Sequence, residues 1–337
     1  MTSTKTATTA DAQSAVTADA HPAGSPAPAA NPAPTSAGAA KTSPTTPSDQ
    51  DPYSAEVGRL VVQGEDRPGI VSKISTLLLD HGANIIDLDQ YSSNPDGGSF
   101  TQRTVFRLPD LPTVKPKLMD DLGGLLDDEL HMRWSLTEAN KRKRVAILAS
   151  TSDHCVLDLL WRQRRGEIEM TVPMVISNHN VLAADVRNFG IPFFHIPLNK
   201  DTRAEGEARE LDLLRGNVDL VVLARYMQII SEDFLEQVGV PVINIHHSFL
   251  PAFIGAAPYR KAKERGVKLI GATAHFVTGD LDEGPIIEQD VVRVGHEETA
   301  ADLALRGANV ERTVLSRAVA WWCQDKVVRD GHTTVVF

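Results

Sequence analysis

Two short stretches of this chain gather side chains that can do acyl-transfer chemistry. The first is Val242-Ile243-Asn244-Ile245-His246-His247-Ser248-Phe249-Leu250-Pro251, an apolar run that ends in an amide and two imidazoles. Alternate residues of a strand share a face, so Asn244 and His246 point the same way. The second is His275-Phe276-Val277-Thr278-Gly279-Asp280-Leu281-Asp282-Glu283-Gly284-Pro285, which also follows an apolar run. It supplies His275 and the carboxylates Asp280, Asp282 and Glu283. Attack on a formyl carbon builds charge on the carbonyl oxygen, and an Asn amide or a cationic His can hydrogen-bond to it. The departing amine needs a proton, which His can give near neutral pH. A carboxylate can hold that imidazole in one tautomer or take a proton from the attacking group. A lone Asn-x-His on a strand is more often structural, and it is the second polar strand end that makes the catalytic reading weigh more. His246, His247, His275 and Asp282 could instead form a metal site, but none of the short ligand spacings of zinc enzymes is present, so no metal is expected.

Such side chains have to be delivered by strand ends. From Val145 onward, short apolar runs alternate with helical patterns. Strands are expected at 145–149, 173–178, 194–196, 218–224 and 242–246, with helices at 155–165, 181–189 and 202–214. Near-continuous apolar strands separated by helices imply a mostly parallel, Rossmann-like sheet covered on both faces. Ligands of such sheets sit outside the carboxyl ends of the strands, which singles out 223–229, 244–250 and 274–284. No GxGxxG follows the first strand, so a dinucleotide cofactor is not supported. A long helix is expected at 299–322, with Trp321 and Trp322 in a core or interface. A hairpin across Asp330-Gly331 closes the chain.

A smaller unit precedes this half. Leu60-Val61-Val62 predicts a strand, and Asp66-Arg67-Pro68-Gly69-Ile70 a turn opening a helix with Ile70, Ile74, Leu77 and Leu78 at helical spacing. Strands at 84–88 and 100–106 flank a strong turn at 94–98, and a helix at 114–126 and a strand at 132–136 complete a βαββαβ order. Gly69 lets the backbone approach a small ligand, and the helix start beyond it offers N–H groups to a carboxylate. A turn with no ligand is the plainer reading. Lys141-Arg142-Lys143-Arg144 reads as a solvated linker rather than a nucleic-acid patch.

The 337 residues suit about two domains. Residues 1–54 are rich in Ala, Thr, Ser and Pro and cannot bury enough surface to offset their ordering entropy, so a disordered tail is expected there. Residues 55–140 then form the small unit and 141–337 the larger one. The net charge of −10 argues against a nucleic-acid partner. No apolar stretch reaches membrane-spanning length and no secretory h-region is present, which points to the cytoplasm and away from a membrane. The two cysteines, Cys155 and Cys323, lie too far apart in sequence to read as a zinc or disulfide framework.

The small unit, through its Asp-Arg-Pro-Gly-Ile turn and its element order, resembles an ACT domain of the ferredoxin-like type. That resemblance makes Asp66, Gly69, Ile70, Asn84 and Ile85 the candidate effector residues, glycine or methionine the candidate effectors, and a homo-oligomer, dimer or tetramer, the expected assembly. In the larger unit, Asn244-Ile245-His246-x-Ser248-x-Leu250-Pro251, then Gly271-Ala272-Thr273-x-His275-Phe276-Val277 and Asp282-x-Gly284-Pro285-Ile286-Ile287, resemble the formyltetrahydrofolate-dependent formyltransferases. His247, the run 248–256 and the preceding ACT-like unit point to their hydrolytic branch, the formyltetrahydrofolate deformylases. The resemblance spans residues 57–337. It implies hydrolysis of 10-formyltetrahydrofolate to formate and tetrahydrofolate, with the folate as substrate and no cofactor, balancing one-carbon folates and supplying formate for purine synthesis. It makes Asn244, His246 and Asp282 the catalytic trio and His247 the candidate for placing the water. Arg225, Met227 and Ile229, from the stretch 223–229, and Asp280 become the folate-binding candidates, largely through backbone groups. Ala257 departs from the family pattern, where a basic or polar residue is usual, and Arg260 is the candidate to stand in for it. Formyl transfer to an amine and a non-enzymatic folate or amino-acid sensor are the alternatives. The acidic charge, His247 and the ACT-like unit weigh against the first, and the intact trio against the second.

Overall fold

The computed structural model describes residues 54–199, 202–251 and 258–337. The expected tail, but for its last residue, and Ala257 lie outside them. Val57–Glu65 (β1) leads through Gly69, whose φ of 94° only glycine adopts readily, into Ile70–Asp80 (α1). Ile70, Ile74 and Leu78 recur one turn apart and are buried together, which is why this segment is a helix with one apolar face. Asn84–Ser92 (β2), Ser99–Arg107 (β3), Leu111–Gly123 (α2) and Arg133–Glu138 (β4) follow. The four strands form an antiparallel sheet of order β2-β3-β1-β4. α2 begins ahead of the expected 114 because Pro112 suits a first helical turn. It runs on as a π-helical segment at Gly124–Glu129.

The larger half comprises Lys143–Ala149 (β5), His154–Arg165 (α3), Met170–Thr171 (β6), Val175–Ser177 (β7), Ala183–Asn188 (α4), Phe193–His195 (β8), Arg203–Leu214 (α5), Leu220–Ala224 (β9), Glu232–Val238 (α6), Val242–His246 (β10), Pro258–Glu264 (α7), Leu269–Phe276 (β11), Ile286–Arg293 (β12), Ala300–Cys323 (α8), Val327–Asp330 (β13) and Thr333–Val336 (β14). Its sheet order is β12-β11-β10-β9-β5-β7-β8, with β6 beside β5. β5, β7, β8, β9 and β10 pair in parallel, and β10-β11-β12 antiparallel. β12 was not anticipated. Its burial does not alternate cleanly along Ile286–Arg293, so the period that marks a strand is weak there. Apolar clusters cover both faces of the sheet.

The two sheets lie in one compact unit. α8 begins in a capping box between Thr299 and Asp302. Its last carbonyls are met by arginines of the small sheet: Arg59 Nη1 donates to Cys323 O at 3.5 Å, and Arg103 Nη2 to Gln324 O at 3.2 Å. Cationic donors suit the negative end of a helix. Trp321 and Trp322 pack partly buried against the large core.

Candidate active site

β10 and β11 set the register of the site, because Asn244 lies directly opposite His275. His275 is 2% exposed; its Nδ1 is 2.9 Å from Phe276 O, so that nitrogen carries the proton and Nε2 is an acceptor. Burial lowers the His275 pKa and favours this neutral form. Asn244 Nδ2 therefore donates to His275 Nε2 at 3.2 Å, which fixes the amide's orientation and leaves its second N–H for another acceptor. Past β11 the chain folds back tightly, with Phe276 N donating to Pro285 O at 2.9 Å. Gly284 makes this possible, since a Cβ there would overlap Phe276 O. The returning loop carries Asp282, in a left-handed conformation at φ 60°, over the strand ends.

There Asp282 Oδ1 lies 3.1 Å from His246 Nδ1 and 3.8 Å from His275 Nε2. The His246 hydrogen bond holds the Asp282 carboxyl below the usual carboxylate range despite partial burial. With Nδ1 committed to Asp282, Nε2 is the ring nitrogen left over, and it is buried with no partner among the described residues. A buried polar atom without a partner calls for a ligand or water. His247 stacks obliquely on His246 with ring centroids 5.1 Å apart. Burial first, then Arg225 and His246, push its pKa down to about 4, so it is neutral near pH 7.

These groups face a cavity of about 430 Å³ whose lining includes Met227, Ile229, Asn244, His246, Asp280 and Asp282. Met227 and Ile229 are each 59% exposed and, with exposed Leu281, form an apolar mouth. The loop between β9 and α6 is held from behind. Met227 N donates to Ser150 Oγ at 2.9 Å, Tyr226 Oη to Glu210 Oε1 at 2.7 Å, and Arg203 to Ile229 O. Glu207 accepts from Ser231, whose hydroxyl caps α6. Arg225 lines the cavity too, but its Nε stands 3.4 Å from Glu311 Oε2 on α8. Glu283 is exposed and is not part of this lining.

Asn244, His246, His247, Asp282 and the candidates on 225–229 are thus gathered at one cavity. Asp66, Gly69 and Ile70 are not joined to Asn84 and Ile85. Asn84 sits opposite Arg107, level with the start of β1, whereas Asp66 follows the end of β1 and takes a hydrogen bond from Ser92. At about 3.3 Å per residue Asp66 is about 30 Å from Asn84 along the sheet, so one chain cannot close all five around one small ligand. Sequence reasoning did not find Ser150, His154, Glu207, Glu210, Tyr259 or Glu311. Glu311 carried a signal: an acid within the apolar stripe Leu303, Gly307, Val310, Val314 of a long helix. Among the described residues, the group of metal-ligand types that clusters tightly is His154, Cys155 and Glu311. Its carboxylate already takes hydrogen bonds from His154 and Tyr259, and Arg225 adjoins it.

The chain matches the formyl transferase family model over residues 143–319 and the ACT domain model over 58–123. It is 62% identical to a formyltetrahydrofolate deformylase of Mycobacterium tuberculosis, over 84% of this chain and 91% of that one. The crystal structure of a formyltetrahydrofolate deformylase from Burkholderia mallei superposes with a TM-score of 0.79 at 39% identity, covering 84% of this chain and 99% of that one. A glycinamide ribonucleotide transformylase from Symbiobacterium toebii is also similar, at 32% identity and a TM-score of 0.54, but covers only 58% of this chain and 94% of its own.

Proposed function

This chain belongs to the formyltetrahydrofolate deformylase family and hydrolyses 10-formyltetrahydrofolate to formate and tetrahydrofolate; we propose that Asn244, His246 and Asp282 carry the reaction. The observation behind this assignment is His246, a side chain lining the cavity: one ring nitrogen is bound to Asp282, and the other is buried and unpartnered among the described residues. The folate enters over Met227 and Ile229, with backbone groups of 225–229 and Asp280 holding the pterin. The second N–H of Asn244 donates to the formyl oxygen, where charge develops as water adds to the carbon. His247, neutral, accepts a hydrogen bond from that water. The water's proton passes to the Asp282–His246 pair, His246 Nε2–H donates to N10, and the C–N10 bond breaks to leave formate and the N10–H amine. No cofactor enters the scheme.

The ACT domain, residues 55–140 in our division, is the effector-binding part. An amino acid, glycine or methionine, that touches both Asp66–Ile70 and Asn84–Ile85 requires two copies of the chain, which favours a dimer or a tetramer built from dimers. In the cytoplasm the released formate would serve purine synthesis.

The test is formate release by purified protein with no amine acceptor present, beside Asp282→Ala. Multiple turnovers are expected in the wild type, with about a 10²–10⁴-fold loss of kcat in the variant. Turnover that appears only when an amine acceptor is added would make the chain a transferase.

A further inference from the structure

The catalytic scheme leaves one buried cluster unused, behind His247. Glu311 lies midway along α8 on the face packed into the core and is 1% exposed. A carboxylate so far from water persists as an anion only when it is paired. His154 Nε2, at the start of α3, is 2.8 Å from its Oε2, and Tyr259 Oη, on α7, donates to its Oε1 at 2.5 Å. Arg225 Nε stands 3.4 Å from Oε2. Burial pushes the Glu311 carboxyl up, but these partners together hold it below its usual range.

Arg225 occupies the left-handed backbone region at φ 61°, which non-glycine residues rarely adopt. Its Nε is buried and makes no aligned hydrogen bond. Strain and an imperfectly satisfied cation at a cavity wall are costs that packing alone does not explain. The Tyr259 ring meets the His247 ring edge-on at 6.2 Å. It sits on α8 at Gly307, where a Cβ would overlap it. The Tyr259 ring thus links His247 to a buried carboxylate that also meets Arg225 and His154.

We propose that Glu311 and Arg225 are positioning residues of the hydrolytic site: from α8 the carboxylate fixes the guanidinium and the Tyr259 ring against His247, and so sets His247 as the acceptor that orients the attacking water. The proposal rests on the hydrolytic reading above. His246 from β10 and Tyr259 from α7 meet the His247 ring directly, and the charges that act on it come from Arg225 on the loop after β9, Asp282 on the loop after β11 and Glu311 on α8. Arg225 is the strongest of them in disfavouring protonation, and the two carboxylates oppose it.

The experiment compares kcat and KM for 10-formyltetrahydrofolate hydrolysis across pH in wild type, Arg225→Gln, Arg225→Lys and Glu311→Gln. Without the guanidinium, His247 gains a proton at higher pH. Arg225→Gln should therefore lose about tenfold or more in kcat, keep KM within about twofold, and shift the acid limb of its kcat profile upward. Arg225→Lys should restore the acid limb, and Glu311→Gln should lower kcat with KM little changed. An unmoved acid limb in Arg225→Gln, or losses carried by KM alone, would overturn the proposal. Should a variant fail to fold, the His247 ring in the wild type, followed by nuclear magnetic resonance, decides. A midpoint near about 4 is expected, and one at or above the ordinary histidine value of about 6.5 would refute it. Absence of hydrolysis by the wild type would instead overturn the function proposed above, and the ring titration would still read this arrangement.

Discussion

Asn244 and Glu210 differ in what their loss should do. Asn244 is oriented by His275 and offers one free donor, so Asn244→Leu should cost about 10²–10³-fold in kcat, the usual size for one oxyanion donor, with KM little changed. Steady-state kinetics check this, and a loss in KM alone would reassign Asn244 to substrate binding. Glu210 makes a different prediction. It is fully buried; burial first, and Glu207 after the opposing Tyr226 hydrogen bond, push its carboxyl from 4.5 up to about 7. Because the folded-state pKa is the higher one, stability is complete below the unfolded value and is lost as pH rises through about 7. Glu210→Gln should abolish that decline, which amounts to about 3 kcal/mol at most, as read by denaturant unfolding at pH values below about 4.5 and above about 7. A decline of the same size in the variant would assign the pH dependence elsewhere.

Among the elements, the loop between β9 and α6 lines the cavity, and α5 holds it through Arg203, Glu207 and Glu210. Ser231 joins the two helices, capping Phe234 N at 3.1 Å while donating to Glu207 at 2.5 Å. Ser231→Ala removes both contacts. It should cost about 1 kcal/mol of stability from the cap alone and raise KM for the folate more than it lowers kcat, because Met227 and Ile229 lose their support rather than the chemistry its groups. An unchanged KM would mean the loop is held without this cap. The strand ends were legible as elements because apolar runs followed by polar side chains mark them. That β11 and β12 run antiparallel was not, since a single strand's pattern does not record its neighbour's direction.

For the whole molecule, the α8 axis ties the two sheets together. One end is met by Arg59 and Arg103 of the small sheet, and its middle places Glu311 beside Arg225 at the cavity wall. Arg103 is 4% exposed and also pairs with Asp87 at 3.1 Å and Asp89 at 3.6 Å on β2. Arg103→Ala should leave a helix-end carbonyl and two neighbouring carboxylates without their cation. Hydrogen exchange should then quicken in β1–β4 more than in the large sheet. Equal protection in both sheets would show that the contact between them does not depend on this residue.

The sequence by itself determined the two-part α/β order and the polar strand ends, because each is written in local pattern: apolar periodicity, turn residues, and polar groups placed just past apolar runs; the choice of Asn244, His246 and Asp282 among those groups came from the resemblance to the formyltransferases. Only the tertiary structure decided which of those groups meet. Asp282 reaches His246 because a glycine lets its loop fold back, Glu283 one residue later does not, and the small sheet keeps Asn84 far from Asp66. Glu311, His154, Tyr259 and Arg225 come from four separate elements and converge on one buried carboxylate. A charge buried this way is stabilised by partners distant in the chain, and no local spacing encodes that compensation.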